Sequence, residues 1–304
     1  MFNYGQEVRL ARFQEVDYYN DPDFLNVDHF DLTMDEKRSH FAIWSSFSAP
    51  LIISANVTRL TPEEISCLTN EDIIAVDQDP LVQQATLVSQ DETWDVLAKS
   101  LANGDRLLTI INKGNSTACH SVSFERIGLC PESMVMVKDL WTGNSSVAFG
   151  EVTATDIPSH GTAIMRISGA GRSLGQITPT GKIFNTWSLR ALTAASNSSV
   201  QWTNTTGTDS QVWQTRDDAT IRPLVDIKQC LTESGAGDIT LSSCNKRRTG
   251  QQWDYMYSGN VRSMTSQKCL TESNGGKISA EDCLYLADSQ VIALPAGVEV
   301  VKET

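Results

Sequence analysis

The apolar positions of this chain keep one pattern up to about residue 80, a second to about residue 168 and a third beyond it. In the first stretch Val16 to Tyr19 is a short, aromatic, β-prone run. Asn20-Asp21-Pro22-Asp23 behind it is a turn, because proline removes a ladder donor and fixes φ. Thr33 and Glu36 have the spacing of a capping box, and Ile43, Trp44 and Phe47 follow at helical intervals, which predicts a helix starting at Thr33. Leu51 to Ile53, after Pro50, is a continuous apolar run of the kind buried on both faces of a parallel sheet. Thr61-Pro62-Glu63-Glu64 repeats the helix-start grammar, with Thr at the cap and Pro at the first position. The succession is βαβα, the pattern of an α/β barrel or layered sheet.

From Gln83 to Ser168 the helical period disappears. Trp94 to Leu101 and Arg106 to Asn112 flank Asn103-Gly104, a strong hairpin signal because Gly tolerates the positive φ of the turn. Val135 to Leu140 and Thr162 to Ile167 are further β-like runs, so the segment is expected to be an antiparallel sandwich. Gly169 to Gly175 reads as a linker. It contains Gly171-Arg172-Ser173-Leu174-Gly175, which matches a nucleophile elbow in letters only, since Ile177-Thr178-Pro179-Thr180-Gly181 cannot supply the helix that the elbow requires.

Beyond the linker lies an internal repeat. Gln-x-Trp stands at Gln211/Trp213 and Gln251/Trp253, with a degenerate copy at Gln290/Ile292. Cys230 and Cys244 are 14 apart, as are Cys269 and Cys283, and the two pairs start 39 residues apart. The same step back from the first pair lands on Ala191 and Thr205, so one copy lacks both cysteines together and no stray thiol is left. Three copies of about 39 residues, β-rich and without helical period, predict a β-trefoil. The expected division is 1–81 for the α/β part, 82–168 for the sandwich, 169–178 for the linker and 179–304 for the trefoil.

Charge and cysteine usage narrow the function. A net charge of -13 repels phosphate backbones and anionic lipid, which excludes nucleic acid as the expected partner. No apolar run approaches the roughly 20 residues of a membrane span. The four histidines, at 29, 40, 120 and 160, lack the short-interval pairing of zinc sites, and no cofactor is expected. Five Asn-x-Ser/Thr sequons, at Asn56, Asn115, Asn144, Asn197 and Asn204, together with the spaced cysteines, point to the secretory pathway. Met1 to Phe13 has no signal-peptide core, so the leader is expected upstream. Cys119 and Cys130 are close enough in sequence to bridge a loop, and Cys67 is expected to be the unpaired seventh.

Asn20-Asp21-Pro22-Asp23-Phe24-Leu25, Leu32-Thr33 through Glu36, Arg38 to Ala42, Ala49-Pro50-Leu51 and Asp77-Gln78-Asp79-Pro80 closely resemble, in order and spacing, the melibiase family of retaining α-galactosidases. Asp139-Leu140-Trp141-Thr142-Gly143 and Pro158 to Thr162 resemble the C-terminal sandwich of the same enzymes, and the Gln-x-Trp trefoil resembles the ricin-type module of filamentous-fungal members. The resemblance implies a multidomain α/β plus all-β chain. It would comprise the last two βα units of a (β/α)8 barrel, preceded by part of helix six in Met1 to Gln14, then an antiparallel β-sandwich and a β-trefoil. It also implies a parent enzyme that hydrolyses terminal α-D-galactosides or galactose-containing polysaccharide.

Retaining glycosidases need two carboxyls about 5 to 5.5 Å apart, one to attack and one to protonate. In the family the nucleophile is the Asp of a Lys-x-Asp-x-Cys segment, which occurs nowhere in these 304 residues. The acid/base Asp would precede Met1. No catalytic residue is therefore expected, and the chain alone is expected to be inactive. Asp21 and Asp23 are a poor catalytic pair, because Pro22 fixes a turn between them. Asp23 and Phe24 match the family's Asn-Asp-Pro-Asp-hydrophobic motif, which implies a galactose hydroxyl contact and an apolar wall; animal and plant members carry Met at the latter position. Asp21 is expected to bond the turn's own amides. Ricin-type sites use an Asp directly after the Cys-Leu pair, yet Thr193, Thr232 and Thr271 stand there. Trp202, Asp209 and Gln211 of the first copy are the remaining candidate trefoil sugar contacts. A stand-alone carbohydrate-binding protein is the competing reading.

Overall fold

The computed structural model describes residues 2–245 and 250–302. They fall into two compact units, one of Met1–Leu87 with Glu92–Ile177 and one of Thr178–Thr304 with Val88–Asp91.

Helices of the first unit begin where their capping chemistry puts them. Helix α1 (Phe2–Glu7) is followed by a 3-10 turn at Ala11–Phe13. The long helix α2 (Met34–Ser46) starts at Thr33, whose hydroxyl accepts from Glu36 N at 3.3 Å while Thr33 N donates to the Glu36 carboxylate at 2.8 Å. Thr61 and Glu64 repeat the arrangement for α3 (Pro62–Leu68), and Asn70 caps α4 (Glu71–Asp77). Each reciprocal cap satisfies donors that the first turn leaves orphaned. Leu25 bridges Ile53 in parallel, with Leu25 N donating to Ile52 O and Ser54 N to Leu25 O. Among the described residues of the unit, this single parallel rung between two helix-flanked segments is all the parallel sheet there is.

Two expectations fail here. Val16 to Tyr19 is a tight turn closed by a Glu15–Tyr18 bridge, with Asp17 at φ 71, and Val16, Tyr18 and Tyr19 are exposed. Leu51 to Ile53 is not buried on both faces: Ile52 is 47% and Ile53 42% exposed. A parallel strand is covered by its neighbours, and apart from the Leu25 segment these residues have none among the described residues.

The sandwich strands are β1 (Thr86–Gln90), β2 (Trp94–Ser100), β3 (Arg106–Asn112), β4 (Ala118–Ser123), β5 (Met134–Asp139), β6 (Ser145–Phe149), β7 (Glu151–Ile157) and β8 (Thr162–Gly169). The larger sheet runs β1-β2-β3-β8-β5-β6, and β4 pairs with β7. Only Gly104 takes positive φ in the β2–β3 turn, so Asn103-Gly104 closes a three-residue loop with a left-handed glycine rather than a two-residue turn. Every residue of β3 is buried. Thr109 of β3 bonds Ser46 of α2 at 2.7 Å. Lys99 of β2, also buried, donates to Ser45 O, Ser48 Oγ and Val76 O at the carbonyl ends of α2 and α4, and burial lowers its pKa to about 7.

Cys119 and Cys130 are both unbridged and exposed. Strand β4 carries the chain away from Cys119 at about 3.4 Å per residue. Cys130 follows the Phe124–Ile127 turn at the far end of that strand and donates to Glu132. Cys67 is free and buried, and burial raises its pKa to about 11.

In the second unit three hairpins recur at the repeat spacing, Ala191–Ala194 with Val200–Thr203, Gln229–Glu233 with Ile239–Ser243, and Cys269–Ser273 with Lys277–Glu281. Disulfides Cys230–Cys244 and Cys269–Cys283 staple the second and third, each with Cα atoms 5.0 Å apart. One core is shared by all copies, including Leu192, Leu231 and Leu270 at equivalent positions and Trp213 and Trp253.

Candidate functional site

The candidate site lies in the first unit, where Asn20 to Phe24 meets α2. Asn20 is pinned by its amide to Leu10 O and the Gln84 side chain, and Asp21 accepts from Asp23 N at 2.9 Å. Asp21 thus holds the turn. Asp23 is bent into the left-handed region at φ 80, a conformation uncommon for a residue with a Cβ. Trp44 of α2 clamps it there, its indole N–H donating to Asp23 O at 2.7 Å. One carboxylate oxygen of Asp23 accepts from Phe24 N, and the side chain is otherwise exposed to solvent.

Asp23 and Phe24 line an open concavity of about 600 Å³ that also takes in Tyr4, His40, Trp44 and His160. Its walls are chiefly apolar and aromatic: Phe24 is half exposed, and His40 meets Trp44 edge to face at 4.2 Å. Burial lowers the His40 pKa to about 4, so the ring is neutral at physiological pH. The other carboxylate here, Glu36, is held in the cap of α2, and the hydrogen bonds from Thr33 lower its pKa. Two motifs that are 120 residues apart in sequence join at this wall. Ser39 Oγ donates to His160 O at 2.7 Å and accepts from Thr162 Oγ1 at 2.7 Å. The wall can therefore accept hydroxyl donors at Asp23 and pack an apolar face on Phe24.

Three family models match the chain: "Alpha galactosidase A" over residues 5–79, "Alpha galactosidase C-terminal beta sandwich domain" over 91–167 and "Ricin-type beta-trefoil lectin domain" over 179–291. The chain belongs to the α-galactosidase family. It is 46% identical over 302 residues to "Alpha-galactosidase A" of Aspergillus niger, a match that covers 99% of this chain and 54% of that protein. It is 43% identical over 300 residues to "Probable alpha-galactosidase A" of Aspergillus terreus, covering 99% of this chain and 55% of the relative. The chain thus spans about half the length of these relatives, and it corresponds to the C-terminal part of an α-galactosidase-family protein with a ricin-type domain. Among solved structures, α-galactosidase I of Mortierella vinacea superposes with a TM-score of 0.52 at 25% identity, over 55% of this chain and 44% of that one.

The trefoil candidates differ in exposure. Trp202 is 2% exposed, inside the core. Gln211 is buried, its amide donating to Thr193 Oγ1, Thr203 Oγ1 and Asn204 O while its carbonyl accepts from Thr206 N. Gln251 makes the same set with Thr232, Ser242, Ser243 and Asn245, and Gln290 bonds Thr271, Asp282 and Leu284. Each threonine that replaces the lectin acid is thus spent on satisfying a buried glutamine, because a buried amide must find its partners inside. Asp209 is exposed, whereas Trp202 and Gln211 face the interior. The missed residue of the first-unit site is Trp44: its helical spacing announced core, and only the bond to Asp23 O gives it a positioning role.

Proposed function

We propose that the complete enzyme hydrolyses terminal α-D-galactosyl residues with retention. This chain would supply one wall of the sugar pocket and the trefoil, but neither reacting carboxylate. The observation that carries the reading is the strained Asp23, clamped through its carbonyl by Trp44 so that its carboxylate and the Phe24 ring stand at the mouth of the concavity. Asp23 accepts a galactose hydroxyl and Phe24 packs on the ring face. The division of labour is barrel end 1–81, sandwich 82–168, linker 169–178 and trefoil 179–304. We further infer export: the asparagines of all five sequons are exposed, and two disulfides close the trefoil. Within the described residues no helix is long and apolar enough to cross a membrane.

The test has two arms. The purified chain, given an aryl α-galactoside, is expected to show no turnover above solvent background, and clear turnover refutes the division of labour. In the complete enzyme Asp23→Ala is expected to lower kcat/KM by about tenfold to a hundredfold, the worth of a hydrogen bond to a charged group. An unchanged kcat/KM removes Asp23 from the sugar site.

A further inference from the structure

Helix α2 borders two concavities. Glu36, Ser39, His40 and Ile43 line the one that holds Asp23 and Phe24, while Asp35 and Arg38 line a separate cleft of about 330 Å³. Glu63 and Ser66 of α3 and Trp141, in the turn after β5, face Arg38 across that cleft, and the 158–162 turn closes its end.

The walls are held from behind. The Trp141 indole N–H donates to Thr162 O at 3.1 Å, and Asn70, the cap of α4, donates through its amide to Leu140 O at 2.8 Å. Lys138 of β5 pairs with Asp72 of α4 at 2.7 Å. The indole is thus fixed before anything binds, which spares a ligand the entropy of ordering it.

Arg38 stands between two carboxylates, with Asp35 Oδ1 at 3.4 Å and Glu63 Oε1 at 2.8 Å. The three side chains stay 38%, 39% and 58% exposed for Arg38, Asp35 and Glu63, so a molecule in the cleft can reach them. Asp35 Oδ2, Glu63 Oε2, the Arg38 Nε–H and the exposed Ser66 hydroxyl have no hydrogen bond among the described residues, and none of them is shut away from solvent. Donors and acceptors therefore stand side by side next to an indole.

Those groups select among ligands. The lining carries one guanidinium against two carboxylates, so an anion meets net repulsion. A cation meets Arg38 between the two acids, and a purely apolar ligand strips water from all three without replacing its bonds. A neutral pyranose donates hydroxyls to Asp35 and Glu63, accepts from Arg38 and lays a C–H face on Trp141. The volume lies at the lower end of the range for small-ligand pockets, about 300 to 1,000 Å³, which suits a single ring. We propose that this cleft binds one neutral pyranose unit, at a site distinct from the Asp23 and Phe24 wall and from the trefoil repeats.

The test is a titration of the full chain with methyl α-D-galactopyranoside and methyl α-D-mannopyranoside and, separately, with glucuronate and tetramethylammonium, followed by backbone amide NMR shifts. Saturable shifts with at least one neutral glycoside, of millimolar affinity and centred on residues 35–38, 63–66 and 141–142, are expected, and they should persist in Asp23→Ala. Trp141→Ala should weaken them by about tenfold or more. If Trp141→Ala does not fold, the solvent-facing changes Glu63→Ala and Ser66→Ala carry the same readout, each with a loss of about fivefold. The proposal is overturned if neither neutral glycoside saturates, if only glucuronate or tetramethylammonium does, if the shifts centre on residues 23–24 or beyond 178, or if the variants bind as tightly as the parent chain. None of these results bears on turnover by the complete enzyme.

Discussion

The trefoil and the helical segment before residue 82 differ in how far each completes its own sheet. Trefoil residues close on themselves: each copy points a leucine at one core, the first two add tryptophans, and each buried glutamine finds its partners within its own repeat. The helical segment has a parallel sheet of one rung among the described residues, and Ile52 and Ile53 are exposed beside it. Antiparallel hairpins repeated about an axis complete their hydrogen bonds locally, whereas a parallel strand depends on strands distant in sequence. Self-sufficiency thus follows from connectivity more than from composition.

The largest way to test that contrast is to empty the trefoil core. Trp213 is fully buried and donates to Leu192 O at 2.7 Å, so Trp213→Ala should cost about 3 to 5 kcal/mol and remove the trefoil's transition from a calorimetric scan at growth temperatures. The contrast breaks if that transition survives unshifted. Next in size, replacing Cys230 and Cys244 together by serine should cost about 2 to 4 kcal/mol by urea unfolding, since the staple closes a 14-residue loop. The first copy folds without a staple, so a much smaller loss would mean that the repeats hold one another.

A pH dependence should mark the first unit. Burial, and then the charge of Asp21, raise the Glu7 pKa to about 7, and one Glu7 carboxyl oxygen is buried without a hydrogen bond. Its folded-state pKa exceeds the unfolded value, so the stability it contributes is complete below about 4.5 and lost as pH rises through about 7. Thermal midpoints of the first unit should therefore fall over that window. Glu7→Gln should flatten the fall and gain roughly 1 to 3 kcal/mol at neutral pH. A slope identical in Glu7→Gln would assign it to other groups, of which Asp77, raised to about 7 chiefly by burial, is the first to try. The smallest effect on folding belongs to the exposed apolar face. Ile52→Lys with Ile53→Glu should change stability by about 0.5 kcal/mol or less while reducing concentration-dependent association in sedimentation; unchanged association would show that the face is not adhesive.

Caps and repeats were legible in the chain because their causes are local. A Thr three residues before a Glu makes the same reciprocal bonds wherever it occurs, and both boxes formed. Val16 to Tyr19 misled because β propensity expresses itself only against a neighbouring strand, and the Asn103-Gly104 turn gained a residue because only Gly104 took positive φ. The site was partly legible: Asn-Asp-Pro-Asp marked Asp21 as the turn's hydrogen-bond acceptor, but nothing in the spacing announced that Trp44 would reach back across about twenty residues to Asp23.

Sequence by itself determined the order of the parts, the helix starts, the trefoil period and which cysteines came in pairs, since each depends on residues close together or on a repeated interval. Tertiary structure alone decided that Trp202 and Gln211 turn inward and that Cys119 and Cys130 stay apart. Those outcomes depend on which distant surfaces exclude water from a side chain, and no short-range pattern encodes that.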